Sequence, residues 1–362
     1  MKIGFIVIIL IAVLVHAYVL WHVYQVLPFP VWAKWTVVGL MAASLVMMFA
    51  GFMGLFDRMP LWLGSATYNV STSWLIVFLY LLIAFLLLDV GRLCHLVPKE
   101  WLYCNAWTAG TITAVIAVLL VYGNIHYNNK VREPLKLMSE KKLSKPIKAV
   151  MVSDLHLGYH NRKAEWQRWV KMINDESPDL ILVAGDIIDG YVRPLLEEDM
   201  AADFHQLKAP VVACLGNHEY ITGIDKSLDF YRQAGITLLR DSAVTVGDLV
   251  IAGRDDRFNP KRKPLQHLLD GVDSTKYIIL LDHQPYNLEE AQQAGVDFQF
   301  SGHTHEGQVW PISLMVNAMY EKAWGPLQKG NTRYYISSGL GIWGGKYRIG
   351  THSEYIVATI SH

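Results

Sequence analysis

The hydrophobic pattern of the chain changes once, near residue 128. Before that point apolar residues run almost without a break; after it, short β-branched runs alternate with amphipathic stretches. Four apolar stretches, roughly 3–27, 31–56, 73–97 and 105–127, are each long enough for a hydrocarbon core that takes about 20 helical residues. Breakers separate them: Pro28 and Pro30, then Asp57, Arg58 and Pro60, then Pro98, Lys99 and Glu100. The first stretch has only Lys2 ahead of it and no small-residue cleavage site, so it reads as an uncleaved helix rather than a signal peptide. Trp21, Trp32, Trp35, Trp62, Trp74, Trp101 and Tyr127 stand near the stretch ends, as an interfacial aromatic belt would.

From Ile147 the pattern predicts strands over Ile147–Val152, Leu180–Ala184, Val211–Leu215, Tyr277–Leu281, Val296–Phe300, Arg333–Ser337 and Glu354–Ile360. One or two hairpins are expected within Ile236–Gly253, and an amphipathic helix over Asn161–Glu176. Strands alternating with helices imply a layered α/β domain. The expected organisation is a four-helix transmembrane domain over 1–127, a basic juxtamembrane linker over 128–146 and a globular α/β domain over 147–362. The segment Trp310–Gln328, with Leu314, Met315 and Met319, is expected to pack as core rather than stand out as an apolar lip.

Charge sharpens the division. The chain carries 32 basic and 32 acidic side chains, a net charge of zero that leaves no footprint for a nucleic-acid partner. Only eight of these charges fall in residues 1–127. The mean hydropathy of +0.23 is high for a soluble chain. Three cysteines, Cys94, Cys104 and Cys214, make no disulfide framework. With four spans both ends share one side, which collects Lys2, Arg58 and the linker cluster Lys130, Arg132, Lys136, Lys141, Lys142, Lys145 and Lys148. The positive-inside rule then puts the globular domain on the cytoplasmic face of the inner or plasma membrane, with anionic lipid as a partner of the basic linker. His16, His22, Asp89, Arg92 and His95 lie within the spans. Asp89 and Arg92, three apart on a helix, are expected to pair, and the others to reach headgroups, rather than to form a conduction path.

The chemistry lies at the strand ends. The first strand runs into Ser153-Asp154-Leu155-His156 and the second into Gly185-Asp186-Ile187-Ile188-Asp189. The third runs into Gly216-Asn217-His218-Glu219, the fourth into Asp282-His283 and the fifth into Gly302-His303-Thr304-His305. Ligands of open α/β sheets gather outside the carboxyl ends of strands. Asp and His without Cys suit hard or borderline divalent ions such as Mn, Fe, Mg or Zn. Seven such groups exceed the needs of one catalytic ion, but suit two ions about 3.5–4 Å apart that share a carboxylate, hold a hydroxide and clamp phosphoryl oxygens. Asp-x-His and His-x-His are expected to present alternate side chains on one side of extended segments. The glycines before Asp186, Asn217 and His303 are expected to allow tight turns.

These blocks, in this order, resemble the signature of the calcineurin-like metallophosphoesterases over 147–362, and more closely the membrane-anchored bacterial branch of that family. The branch resemblance is carried by Ser337-Ser338-Gly339-Leu340-Gly341 and the later Arg348; Glu306 departs from it, standing where Gly is usual. The resemblance implies a two-sheet β-sandwich flanked by helices. It implies that Asp154, His156 and His305 hold one ion, that Asn217, His283 and His303 hold another, and that Asp186 bridges them. Manganese would be the first choice, ahead of iron, zinc or magnesium. His218 would protonate the leaving oxygen or stabilise the transition state, and Asp189 would hydrogen-bond His218 and fix its tautomer. Gly190 stands where protein Ser/Thr phosphatases carry Arg, and Asp189 where purple acid phosphatases carry Tyr, so neither activity is expected. Arg254 and Arg348 are candidate substrate contacts, since an Arg beside the ions suits a second phosphate. The resemblance implies hydrolysis of a phosphodiester or pyrophosphate. Relatives include enzymes that cleave UDP-2,3-diacylglucosamine in lipid A synthesis, and a membrane anchor suits a lipid-linked substrate. The alternatives are a tethered phosphodiesterase for soluble nucleotides and a non-catalytic membrane sensor; oligomeric state is not legible.

Overall fold

The computed structural model describes residues 2–362, with side chains from Leu10 onward. The chain divides into two compact units: one ends at Asn124 and takes in Gly344–Lys346, the other comprises Ile125–Trp343 with Tyr347–His362. The first unit is built from α1 (Lys2–Val26), α2 (Val31–Phe52), α3 (Leu61–Leu93) and α4 (Ala106–Asn128). By length and composition α2, α3 and α4 can each cross a membrane. In α1 the described side chains form the shorter apolar stretch Leu10–Val26, so the expected span 3–27 begins outside them.

The third helix differs from the 73–97 stretch predicted for it. It starts at Leu61, directly after Pro60, and spans 33 residues. Its first turns hold Ser65, Asn69, Ser71 and Thr72, which read as a polar gap. Asn69 Nδ2 donates to Ser65 O at 2.8 Å and Thr72 Oγ1 to Tyr68 O at 2.7 Å, so these side chains spend their polarity on the helix itself. The earlier start carries Trp74 into the body of the helix, where it is buried edge-on to His16 rather than interfacial. Asp89 does not turn to Arg92. Its Oδ2 accepts from Tyr18 Oη at 2.8 Å and lies 3.2 Å from His22 Nε2, so the carboxylate links α3 to α1. His16 stacks on Phe78 at 4.7 Å.

The second unit is a two-sheet sandwich flanked by helices. Its strands in chain order are β1 (Lys130–Met138), β2 (Ile147–Val152), β3 (Leu180–Ala184), β4 (Val211–Cys214), β5 (Thr237–Leu238), β6 (Ser242–Val246), β7 (Leu249–Gly253), β8 (Tyr277–Leu281), β9 (Phe298–Ser301), β10 (Gly325–Lys329), β11 (Thr332–Ile336) and β12 (Ser353–Ser361). One sheet has the order β1-β12-β2-β3-β4-β5, the other β10-β11-β9-β8-β7-β6. Between the sheets Met151, Leu182, Ala184 and Val212 meet Ile251, Ile279, Leu281, Phe298 and Phe300. On the outer face Trp166, Trp169, Val170 and Ile173 of α5 (Lys163–Asp175) cover Val150, Val152, Ile181 and Val183. The strands read as unbroken apolar runs because both faces are covered, and each large side chain so buried contributes about 1.5–3 kcal/mol.

Two expectations fail at the margins. The basic segment is not a free linker: Lys130–Met138 pairs with β12 in parallel along its whole length, from Lys130↔Ser353 to Met138↔Ser361. Its residues alternate, with Leu135 and Leu137 turned to the core and Arg132 and Lys136 to solvent, the period of a half-buried strand. Pro134 is tolerated because this is the edge of the sheet. Nor is Trp310–Gln328 core throughout. The helix Ile312–Met319 leaves Leu314, Met315 and Met319 exposed by 61%, 60% and 68%, with Trp310 half exposed before it.

Glu176, at the end of α5, holds the edge strand. Arg132 Nε and Nη2 donate to its two carboxylate oxygens at 2.7 and 3.1 Å, and Lys148 Nζ lies 3.1 Å away. The Arg132 hydrogen bond, and then Lys148, draw the Glu176 carboxyl down from 4.5 to about 2. A depressed carboxyl adds stability that is complete above its unfolded value and is lost as pH falls through its folded one. Glu176→Gln should therefore lower the stability of the detergent-purified protein at pH 7, and with it the unfolding temperature, by no more than about 1 kcal/mol of unfolding free energy for a pair at the surface. Thermal scans across pH should show the gap to wild type narrowing between pH 4.5 and about 2.

Candidate metal centre

In one sheet β2, β3 and β4 are parallel; in the other, β7, β8 and β9 are. The carboxyl ends of both sets meet: His283, just past β8, uses Nδ1 to donate to Ala184 O at the end of β3, at 2.7 Å. Asp154, Asp186 and Asn217 arrive from the first sheet, and His283, His303 and His305 from the second.

The loops do not run extended, contrary to the alternation argument. Asp154, His156, Asp186, His303 and His305 all have φ between +45° and +73°, the left-handed region that residues other than glycine rarely adopt. Their side chains converge through successive tight turns, and the strain, of order 1–3 kcal/mol per residue, is concentrated where the ligands lie. The glycines serve close approach. A Cβ on Gly216 would strike the Asp186 carboxylate, and one on Gly302 the Asp154 carboxylate.

Two candidate ligand sets result. Asp154, His156 and His305 offer atoms within 4.8 Å of one another, with His156 Nε2 3.1 Å from His305 Nε2 and His305 Nε2 3.6 Å from Asp154 Oδ1. Asp186, His283 and His303 form the second set, with Asn217 Oδ1 2.9 Å from His303 Nδ1 and 3.2 Å from His283 Nε2. Asp186 Oδ2 lies 3.1 Å from His283 Nε2 and 3.7 Å from His156 Nε2, so it faces both sets.

The donor set fits two divalent cations. Burial pushes His156 and His303 down to about 3 and His305 well below the ordinary imidazole value, which keeps these rings neutral, the form that ligates metals. His283 Nδ1 is committed to a carbonyl, which leaves Nε2 for a ligand. Burial alone would keep His283 neutral, but the Asp186 carboxylate outweighs it and raises its pKa well above the ordinary value. Asp186 itself is held well below the usual carboxylate range: burial opposes this, and His283, His218 and His156 prevail. Positive charge between these groups is what the site demands.

Around the ligands, one expected contact is redistributed. The Asp189 carboxylate does not fix His218. Its Oδ1 is 3.0 Å from His156 Nδ1 and 3.9 Å from His218 Nδ1. His218 Nδ1 instead donates to the Asp189 backbone carbonyl at 2.9 Å, which turns Nε2 free of the chain. Burial works against charging His218, but Asp186 and Asp189 raise its pKa above the ordinary value. Glu219, to which the sequence reading gave no role beyond its place in the third block, is the anchor of the candidate centre. Fully buried, it accepts from the backbone N–H groups of Gly216 (2.7 Å), Asp186 (3.1 Å), Ile187 (2.8 Å) and Ile188 (3.1 Å). Its place at the third position of the helix Asn217–Thr222, accepting from the N–H of Gly216, is the acidic half of a capping box, a pattern that could have revealed it.

The two arginines are not equivalent. Arg348 is fully buried, and its guanidinium goes to the carbonyls of His305 (2.6 Å), Ser338 and Gly341 (3.3 Å) and to Ser353 Oγ (3.2 Å). It supports the His305 turn from beneath and has no face left for substrate. Arg254 is buried against Glu290 (2.8 Å) and Asp282 (3.3 Å), at the wall of a separate cleft.

Comparison with known proteins fits this geometry. Residues 147–307 match the model of the calcineurin-like phosphoesterase family. A metallophosphoesterase of Campylobacter jejuni is 31% identical over 256 residues, 68% of this chain and 68% of its own. One from Aquifex aeolicus is 35% identical over 225 residues, covering 59% of this chain and 85% of its own. The chain belongs to the calcineurin-like phosphoesterases, and is a hydrolase of that family whose fold implies divalent metal ions. It is also similar to a zebrafish transmembrane protein with a metallophosphoesterase domain, 28% identical over 83% of this chain and 74% of that one. With its long apolar helices, this makes it a membrane protein.

Replacing Glu219 by Gln removes the charge that gathers four N–H groups behind both ligand loops. The expected result is a loss of metal affinity of about 10–100-fold. Metal content of the purified variant after dialysis at graded Mn concentrations checks it; retention equal to wild type would remove Glu219 from this role.

Proposed function

We propose that the protein is a membrane-tethered hydrolase of a phosphodiester or pyrophosphate bond in a lipid-linked substrate. In this reading its working ions are manganese and its catalytic domain faces the cytoplasm. Asp154, His156 and His305 would hold one ion, Asn217, His283 and His303 the other, with Asp186 between them. When bound, a pair of divalent ions supplies positive charge against the phosphoryl oxygens and lowers the pKa of water. The chain's own groups do the rest. Asp189 orients the His156 ring through Nδ1. The Asp189 carbonyl accepts a hydrogen bond from Nδ1–H of His218, so Nε2 carries the proton for the leaving oxygen when the ring is charged. The raised pKa of His218 keeps that proton available near neutrality.

One observation supports a lipid-linked substrate above a soluble one. The helix Ile312–Met319 follows the His303–His305 turn after six residues, 306–311, and exposes Leu314, Met315 and Met319. A cluster of large apolar side chains left in water beside a catalytic turn is what acyl chains would cover. The cytoplasmic side is supported by the lysine and arginine count of the loops and of β1.

Mn-dependent hydrolysis by the detergent-purified protein tests this, with UDP-2,3-diacylglucosamine offered beside an unacylated nucleotide-sugar and bis(4-nitrophenyl) phosphate. The acylated substrate should be preferred, and equal kcat/KM on all three would overturn the lipid assignment. His218→Ala should lower kcat by about 10²–10⁴ while metal content stays that of wild type. Changing Leu314, Met315 and Met319 together to Ser should raise KM for the acylated substrate roughly tenfold, the worth of about 1.4 kcal/mol of binding.

A further inference from the structure

The helical unit holds a groove that none of the roles above uses. Helices α1, α2 and α3 pack on one another while α4 stands off from them, which leaves a groove of about 360 Å³. Val23 of α1, Val37 of α2, Trp74 and Phe85 of α3, and Ala109 and Leu120 of α4 mark its extent. Its lining is apolar apart from the Trp74 indole and Thr113, whose hydroxyl donates back to Ala109 O at 2.8 Å. Along α3 and along α4 the groove runs about 16 Å, at a rise of about 1.5 Å per residue. That is half of a hydrocarbon core about 30 Å thick, the reach of one acyl chain within one leaflet.

One end of the groove carries a buried cation. Lys34 lies one turn before Val37, on the face of α2 that turns Val37 and Met41 to the groove. Its side chain is buried, with 7% of the residue exposed. Nζ donates to Cys104 Sγ at 3.2 Å and lies 5.3 Å from the centre of the Tyr24 ring; among the described residues it pairs with no carboxylate. These partners stand at the mouth. Cys104 N donates to Gln25 O at 2.8 Å and Asn105 N to Val26 O at 2.9 Å, beside the lining residues Val23 and Val26. The first turn of α2 has no acidic residue and no side-chain cap, so the positive end of its dipole adds to the ammonium. A buried cation without an anion is costly, and a thiol and a ring offset little of that cost. Trp32, Trp35, Trp101 and Trp107 stand exposed in the first turns of α2 and α4 and in the connection between α3 and α4. Such aromatics mark the membrane interface, which sets Lys34 at headgroup depth.

We propose that the helical unit binds one anionic glycerophospholipid, with an acyl chain in the groove and the phosphate on Lys34. The two parts fit one molecule because the cation stands where the chain leaves the groove. A phosphate diester brings the anion that Lys34 lacks, and the ammonium offers it three donors. A choline headgroup carries the same phosphate but brings its own cation, so a headgroup with net negative charge is favoured. The site is independent of the metal centre and of the bond cleaved there. It also differs from the general attraction of the basic segment around β1 to anionic lipid, which needs no groove.

Native mass spectrometry of the delipidated full chain tests it. Dioleoylphosphatidylglycerol, which is anionic, and dioleoylphosphatidylcholine, which is zwitterionic, are titrated separately, and the Kd of the first bound lipid is read. Wild type should bind phosphatidylglycerol at least tenfold more tightly. Lys34→Met keeps the bulk of the side chain without its charge, and should abolish that preference. No preference in wild type, or one that survives in Lys34→Met, overturns the site. Ala117→Phe fills the groove from α4 and should weaken both lipids at least tenfold; an unchanged Kd overturns the groove. Lys136→Gln with Lys142→Gln removes exposed charge elsewhere and should leave the preference intact; its loss there would overturn Lys34 in favour of the basic segment. Glycerol 3-phosphate should not displace the bound lipid, and displacement at equal concentration would reduce the site to a phosphate contact and overturn the role of the chain. If Lys34→Met loses helix content by circular dichroism, the Ala117→Phe result decides.

Discussion

Asp186 must stay ionised where almost no water reaches it, and the arrangement of the catalytic edge follows from that demand. Burial alone would protonate its carboxyl, and His283, His218 and His156 reverse the balance. The groups that do this come from three different strand ends, so both sheets have to deliver their parallel strands to one place. Holding the carboxylate there also requires its loop to turn sharply, and Glu219 provides the restraint by collecting four backbone N–H groups at once. Left-handed backbone at five ligand-bearing positions is tolerable only because such restraints over-determine the loops.

Support beneath the centre has the same character. Arg348 spends its guanidinium on three carbonyls and a hydroxyl, one of the carbonyls being that of His305. Its pKa is lowered to about 10 because burial strips its hydration, with Asp154 and Glu354 opposing the shift. Glu354 accepts from Trp324 Nε1 and Tyr335 Oη at 3.1 Å and from Ser338 N at 2.9 Å. Buried charge around the C-terminal turns is therefore held by several carbonyl, hydroxyl and backbone N–H partners at once, whereas Arg254 and Arg262 retain buried donors without acceptors among the described residues. Within the apolar helices the same economy holds on a smaller scale, where one carboxylate, Asp89, meets Tyr18 and His22 of another helix.

Much of this was legible beforehand because it is written locally. All seven predicted strands matched their spans within two residues, and most plainly the apolar runs 180–184, 211–214 and 277–281, since strands covered on both faces leave no other reading. The ligand blocks stood out because each combines a glycine with Asp, Asn or His at a strand end. What went unread depended on partners distant in the chain. The alternation in Lys130–Met138 was visible, but its lysines and proline pointed to a linker until β12, more than 200 residues later, supplied the other half of the ladder. Trp310–Gln328 looked like core because its composition is apolar; exposure depends on what packs against it.

The order of residues along the chain settled the class of protein and the division into apolar helices and an α/β sandwich, and it pointed to the Asp, Asn and His side chains that gather in the candidate metal centre. These follow from periodicity and from short blocks whose chemistry needs no long-range information. Tertiary structure alone decided which partner each polar group took: the Asp189 carboxylate to His156, leaving His218 to the Asp189 carbonyl, Asp89 to Tyr18 rather than Arg92, Arg348 to carbonyls and a hydroxyl. A hydrogen bond is chosen among all acceptors brought within about 3 Å by folding, and sequence spacing restricts only those few that lie on the same turn.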